Sequence, residues 1–269
     1  MILFPNCKIN LGLHIIRKRK DGYHDLESVF YPLPLKDVVE IIPSDQFQIN
    51  ISGLTVPGNI NDNLCVRAYQ LMKKEFPKLP KVAIYLYKHI PMGSGLGGGS
   101  ADGAFMLKLL NDSFQLNLSS EKLIGYAAQL GSDCPFFILN KPCFVTGKGE
   151  QMEAFSLDLS DYSIALIHPG IHIDTSWAFS EIKPYQPEKS LKQILKQPLI
   201  SWSSELVNDF EEPVLKEYPE LIHIKKTLYE SGALYASMTG SGSSFYGIFK
   251  KDGIPSFSFE QNCRIDIIQ

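Results

Sequence analysis

Little in this sequence would staple, metallate or anchor it. Its 269 residues hold five cysteines, Cys7, Cys65, Cys134, Cys143 and Cys263, with no C-x-x-C pair among them. An odd, dispersed set makes neither a disulfide framework nor a zinc site, and fits a reducing, cytoplasmic setting. The six histidines include no H-E-x-x-H and no other metal spacing. No apolar stretch approaches the ~18–20 residues that a membrane span needs. The opening Met-Ile-Leu-Phe-Pro-Asn-Cys-Lys has no charged segment leading into a long apolar run, so no signal peptide is expected. A basic excess is also missing: 26 Lys and Arg against 29 Asp and Glu give a net charge of −3. That argues against a nucleic-acid or anionic-membrane binder, yet leaves room for a local basic pocket that holds a phosphorylated ligand. The basic run Arg17–Lys20 is short, sits in a turn and has no aromatic residue within it, so it reads as a solvated hairpin. There are no internal repeats and no low-complexity tracts.

What is present suffices for a core. Hydrophobic residues make up 44% and charged residues 20%, enough for one large domain or two ordinary ones. From Ile9 to Ile15 the pattern alternates, with Ile9, Leu11, Leu13 and Ile15 on one face and Lys8, Asn10, Gly12 and His14 on the other; this predicts a strand with one buried and one polar face. Asp21-Gly22 marks a hairpin turn, and a second strand is expected from about Tyr23 to Tyr31. Further strands are predicted at Val38–Ile42, Phe47–Ile51, Val82–Tyr87, Cys143–Thr146, Ser163–His168, Ser244–Phe249 and Ile265–Ile268. Helical spacing appears at Leu64–Met72, Ala101–Leu110 and Glu220–Glu230, and at Ser120–Leu130 with Ser119 as N-cap and Gly131 as stop. The segment Pro184–Pro198 is polar and proline-bounded, and reads as a surface excursion. Strands and helices mix without a steady β-α-β rhythm, which points to an α+β fold.

The chemistry concentrates in Pro91-Met-Gly-Ser-Gly-Leu-Gly-Gly-Gly-Ser-Ala-Asp102, between a predicted strand and a predicted helix. A glycine-rich turn feeding a helix N-terminus is a ready anion site, because unpaired N–H groups and the positive end of the helix dipole face the ligand. Gly93, Gly95 and Gly98 formally match G-x-G-x-x-G, but the first strand-turn-helix of an α/β domain, where a dinucleotide fingerprint belongs, is not seen here. No Gly-Lys-Ser/Thr closes a Walker A loop, and no V-A-I-K or H-R-D set completes a protein kinase.

The glycine stretch resembles the phosphate-binding motif of the GHMP kinase superfamily. Other blocks follow in family order over nearly the whole chain: Lys8-Ile9-Asn10-Leu11, Asp21-Gly22-Tyr23-His24, Asn63-Leu64, Gly131-Ser132-Asp133-Cys134-Pro135-Phe136-Phe137, Gly147-Lys148-Gly149-Glu150, Asn208-Asp209-Phe210-Glu211 and Thr239-Gly240-Ser241-Gly242-Ser243-Ser244. These resemble the branch of the superfamily whose acceptor is a methylerythritol carrying cytidine diphosphate. The resemblance implies a two-domain GHMP-kinase-like α+β fold, with a ribosomal-protein-S5-domain-2-like N-terminal part over 1–155 and a ferredoxin-like C-terminal part over 156–269. It implies transfer of the ATP γ-phosphate to the acceptor's 2-hydroxyl, in the non-mevalonate route to isoprenoid precursors. Another small-molecule kinase of the superfamily, or a non-catalytic nucleotide-binding relative, are the alternatives.

The same resemblance assigns roles. Lys8 and Asp133 match the family's catalytic pair, Asp133 as proton acceptor. The nucleotide is expected at Pro91, Gly93, Gly95, Leu96, Gly97, Gly98, Gly99, Ser100 and Ala101, with Asn63 and Lys88 on the adenosine side. Tyr23 and Phe179 are expected to sandwich the cytosine while His24 reads its edge; Asn10 and Lys148 meet the diphosphate or the polyol, and Gly240 and Ser241 restrain the substrate's phosphates. Other superfamily members place Ser-Ser after Gly-Leu-Gly, where this chain has Gly98-Gly99. No protein ligand for Mg²⁺ is therefore expected, and the ion is held mainly by nucleotide phosphates. The partners expected are small molecules, with neither nucleic acid nor membrane, and the oligomeric state stays open.

Overall fold

The computed structural model describes residues 1–251, 256–257, 259 and 263–269. The strands are β1 (Ile2–Leu3), β2 (Asn6–Lys18), β3 (His24–Lys36), β4 (Val38–Pro43), β5 (Gln48–Gly53), β6 (Val82–Lys88), β7 (Cys143–Thr146), β8 (Gln151–Ala154), β9 (Tyr162–His168), β10 (Tyr235–Met238), β11 (Phe245–Lys250) and β12 (Arg264–Ile268). The helices are α1 (Leu64–Glu75), α2 (Gly98–Ser113), α3 (Ser120–Leu130), α4 (Cys134–Leu139), α5 (Thr175–Glu181), α6 (Leu191–Ile194), α7 (Trp202–Glu205), α8 (Glu211–Glu217) and α9 (Ile222–Glu230). Sheets and helices are mixed, as the sequence pattern predicts.

By contacts the chain divides into two compact units that interleave along the sequence. One comprises Met1–Lys8, Pro32–Met92 and Gly97–Lys141; the other comprises Ile9–Tyr31, Gly93–Leu96 and Pro142–Gln269. The sequence reading places one boundary at 155. The interleaving arises because the 13-residue strands β2 and β3 each contribute to both units, as does the glycine stretch.

In the first unit β1, β4, β6 and β5 form one sheet in that order, with β5 parallel to β6 and the other pairs antiparallel. Along β6, Val82, Ala83, Ile84 and Leu86 are buried while Tyr85 and Tyr87 stay exposed, the alternation of a sheet covered on one side. Helices α1, α2 and α3 pack on one another, and α2 reaches β4. Ala101, Ala104, Leu107 and Leu110 recur at helical spacing on α2 and are buried. Asn63 and Ser119 cap α1 and α3 with their side chains, and Gly131 follows the end of α3.

In the second unit β9 and β11 are the central strands of an antiparallel sheet ordered β10-β11-β9-β12. Its apolar face packs with α9 around Ala165, Ile167, Ile224, Leu228, Phe245 and Phe249. Another sheet runs β2-β3-β7-β8. The stretch 184–198 is no mere surface excursion. Ser190 opens α6 with a reciprocal capping box, and Leu191, Ile194 and Leu195 are buried. Polar composition hid three apolar residues at spacings of three and one. The half-polar reading of β2 also fails: Asn6 through Ile15 are buried on both faces, because the polar side chains have partners of their own.

Lys88, Asp37 and Asp102 form a cluster in the first unit with essentially no exposed surface. Lys88 Nζ lies 2.7 Å from Asp102 Oδ2 and also bonds Asp37 Oδ2. Asp37 Oδ1 accepts the N–H groups of His89 and Ile90 at 2.6 and 2.8 Å. The cluster thereby joins the exit of β6 to the start of α2. Burial opposes the Lys88 charge, but Asp102 and Asp37 outweigh it and hold its pKa above the usual lysine value. Burial, aided by Asp37 and only partly offset by Lys88, pushes Asp102 up to about 8. One cation cannot balance two buried carboxylates, so Asp102 carries a proton at neutral pH. A raised carboxyl pKa contributes stability that is complete below the ordinary carboxyl range and is lost as pH rises through about 8. Asp102→Asn is therefore expected to gain stability relative to the wild type between pH 5 and pH 8. Urea unfolding midpoints across that range test it; parallel pH profiles would mean Asp102 stays ionised.

Candidate active site

In the first unit Lys8 stands on β2 and Asp133 opens α4. Asp133 occupies the N-cap position, yet its side chain makes no capping bond. It turns instead toward Lys8, with Oδ2 3.6 Å from Nζ. The lysine side chain is 4% exposed and the aspartate 30%, so a buried cation backs a carboxylate that solvent or a ligand can reach. Burial lowers the Lys8 pKa, and Asp133 works against that shift. Such a pair can take a proton from a hydroxyl and steady negative charge beside it.

Helix α2 begins at Gly98 behind Gly97, which sits at φ +72° as N-cap. No side chain caps this end. The N–H groups of the first turn, from Gly98 to Ser100, point outward along the axis, where a phosphate is favoured by both hydrogen bonding and dipole; that of Ala101 already donates to the Gly97 carbonyl at 2.9 Å. Two residues expected on the adenosine side are engaged otherwise. Asn63 Oδ1 accepts the Cys65 N–H at 2.9 Å as the cap of α1. The Lys88 ammonium is enclosed by Asp37 and Asp102, with no exposed surface, so it holds the flanks of the glycine stretch.

In the second unit the tip of the stretch, Gly93–Leu96, rests on the second glycine loop, Thr239–Ser244. The approach is backbone on backbone. Gly95 is at φ +78°, and a Cβ there would stand 2.0 Å from the Thr239 carbonyl oxygen. A Cβ on Gly240 would meet the Gly95 Cα at 3.0 Å. The Thr239 hydroxyl lies 3.3 Å from both the Gly95 carbonyl and Asn10 Oδ1. The Ser244 N–H donates to the Ser94 carbonyl at 3.2 Å.

Two asparagines hold this arrangement. Asn10, expected to touch substrate, is 1% exposed. Its Oδ1 accepts the Gly240 N–H at 3.0 Å, its Nδ2 donates to Ser28 Oγ at 2.9 Å, and its own N–H donates to Thr239 Oγ1 at 3.0 Å. It positions the second loop. Asn208 donates from Nδ2 to the Met238 and Gly240 carbonyls at 2.8 and 2.9 Å, and its Oδ1 accepts the Phe210 N–H at 3.1 Å. The sequence reading quotes Asn208 within a family block without giving it a role. Its partners lie 30 and 32 residues away, and local spacing carries no trace of them.

The aromatic group is also in the second unit. In the β2–β3 hairpin Arg19 bonds Asp21 and Asp25, and Asp21 Oδ1 accepts the Tyr23 N–H at 3.2 Å. The basic run is thus tied to the carboxylates around it. Lys148 Nζ sits 4.5 Å from the centre of the Tyr23 ring. His24 stacks on Phe179, with centroids 5.0 Å apart and planes 15° from parallel. Burial, with a smaller contribution from Lys18, lowers the His24 pKa and favours a neutral ring. Phe179 lies on α5, capped by Asp174, and meets the edge-on Phe210 at 4.8 Å. The Ser241 and Thr175 hydroxyls are 3.0 Å apart.

The chain thus holds a glycine turn feeding an uncapped helix, and a buried lysine set against a part-exposed aspartate. The chain matches GHMP kinases N terminal domain over residues 63–141 and GHMP kinases C terminal over residues 190–256. It belongs to the GHMP kinase family. A protein of Bacteroides fragilis named 4-diphosphocytidyl-2-C-methyl-D-erythritol kinase is 52% identical over 97% of this chain and 96% of its own. A protein of the same name from Cytophaga hutchinsonii is 48% identical over 93% and 92%. The crystal structure of a 4-(cytidine 5'-diphospho)-2C-methyl-D-erythritol kinase superposes with a TM-score of 0.80 at 29% identity, over 92% of this chain and 90% of that one. A homoserine kinase of Cytophaga hutchinsonii shares the fold, with a TM-score of 0.67 at 16% identity over 98% and 95%.

Asn208→Ala leaves two buried carbonyls without their donor, and a loss of about 1–3 kcal/mol in stability is expected. Thermal melts measure the loss. Titration with ADP is expected to show weaker binding as well, since the second loop supports the first; ADP affinity equal to the wild type's would separate the two loops.

Proposed function

We propose that this chain transfers the γ-phosphoryl group of ATP to the 2-hydroxyl of 4-diphosphocytidyl-2-C-methyl-D-erythritol, a step of the non-mevalonate route to isoprenoid precursors. The Lys8–Asp133 pair carries the chemical part of this reading. Asp133 takes the proton of the acceptor hydroxyl as that oxygen bonds to phosphorus and the bond to the β-phosphate oxygen breaks. Lys8, beside Asp133, steadies charge on the group in transit. The first-turn N–H groups of α2 hold the nucleotide phosphates. Mg²⁺ would be carried on those phosphates and would supply charge neutralisation.

The choice of acceptor rests on Tyr23, His24 and Phe179, which offer ring faces to a pyrimidine, and on relatives of that name at about half identity over nearly their whole length. A base-free polyol has no aromatic face to offer these rings.

An ADP-release assay with ATP, Mg²⁺ and either the cytidyl acceptor or a set of base-free polyols tests the reading. Turnover is expected with the cytidyl acceptor alone, and Asp133→Asn is expected to lower kcat by ~10² or more. Turnover of a polyol would remove the role given to the three rings, and an undiminished Asp133→Asn would remove that of the base.

A further inference from the structure

His172 has no role in the site as described, yet it stands at the glycine loops. It lies in the segment leading from β9 to α5, within the second unit. That segment is fastened to the second glycine loop at several points. His168 Nδ1 lies 3.1 Å from Ser244 Oγ, the Ser243 hydroxyl bonds the Ile171 carbonyl, and the Thr175 and Ser241 hydroxyls are 3.0 Å apart. The Ile173 side chain occupies the space beside Gly242, 2.8 Å from where a Cβ would stand. So fixed, the backbone carries the exposed His172 ring onto Gly93, where a Cβ would meet its Nδ1 at 2.8 Å. An imidazole thus rides on the bare first glycine of the nucleotide stretch.

We propose that His172 is a further phosphate-binding residue, its imidazole donating an N–H to a non-bridging oxygen of a diphosphate or triphosphate seated at Gly93–Leu96, and that its proton makes this affinity pH-dependent. The inference rests on the kinase reading above. Phosphate oxygen is the shared chemistry; ATP and the cytidine diphosphate acceptor are its two sources. Neither Gly93–Leu96 nor Thr239–Ser244 contains a titratable side chain. The charged group that faces the ring is Asp174, on its own segment. Hydrogen bonds from the Ser176 hydroxyl and the Trp177 N–H, with the charge of His172, hold Asp174 below the usual carboxylate range. Asp174 is thus ionised beside the ring. A neutral ring donates from one nitrogen; a protonated ring donates from both and adds a charge. Charge assistance makes such a bond roughly twice as strong. The same segment enters α5, which carries Phe179 seven residues later, so one stretch of chain bears a phosphate-facing ring and a base-facing ring.

The test is calorimetric titration of the full chain with cytidine diphosphate, a non-hydrolysable ATP analogue and cytidine, at pH 6 and pH 8. His172→Ala and His172→Lys are run beside the wild type, so that titration of the ligand phosphates cancels between proteins. The wild type is expected to bind at least one phosphorylated ligand about five- to tenfold tighter at pH 6 than at pH 8, relative to His172→Ala. His172→Lys is expected to restore the tight binding at both pH values. An effect confined to one ligand assigns the imidazole to that ligand's phosphates. The same affinity ratio between pH 6 and pH 8 in wild type and His172→Ala, for both ligands, overturns the inference; so does an equal loss for cytidine, which has no phosphate. Wild-type turnover in the assay above is the separate arm: its failure removes the kinase reading, while the phosphate titrations still judge His172.

Discussion

The contact on which the nucleotide region depends is a close approach of main chain to main chain. Gly95 lies so near the Thr239 carbonyl that no β-carbon fits between them. Two loops, each unable to hold its shape by secondary structure, brace each other there. Thr239 reaches Gly95 and Asn10 with one hydroxyl, and Asn208 gathers the carbonyls on either side of Thr239 with one amide. Glu211 extends the support, its Oε1 accepting the Met238 N–H at 3.3 Å while Oε2 pairs with Lys225. A platform of backbone amides is only as exact as its fastenings. Here most of those fastenings, Thr239, Asn10 and Asn208, are short polar side chains.

This division of labour explains which parts of the protein were legible in the sequence. Helix α3, bounded by Ser119 and Gly131, could be read because capping and periodicity are local. The core alternation of β6 could be read for the same reason. Lys8, Asp133 and the glycine stretch stood out through residue type and order along the chain. What spacing does not show is the set of bonds made by polar groups whose partners are remote. Asn10, expected at the ligand, braces residues 229 and 230 positions away. Lys88 looked like a nucleotide contact and is neutralised from 51 and 14 positions away. β2 looked half polar because alternation reports side-chain type and is silent on what covers a face.

The two charged clusters of the first unit illustrate opposite electrostatic solutions. Lys8 and Asp133 are matched one to one, and the carboxylate keeps an exposed edge. Lys88 is outnumbered by two carboxylates in a sealed site, and a proton makes up the difference. A group that must accept a proton from a ligand needs the first arrangement. A clamp across the flanks of a loop can use the second, since nothing there has to exchange.

The His24–Phe179 stack has a consequence for selectivity. Two rings 5.0 Å apart are already in stacking contact. One face of Phe179 is therefore covered by an imidazole of the chain itself. On the proposed reading a flat heterocycle would replace one stack by another, whereas a saturated polyol would break the stack and offer nothing in exchange. Discrimination of this kind needs no steric wall and excludes no molecule by size; it sets a threshold that only an aromatic ligand can cross.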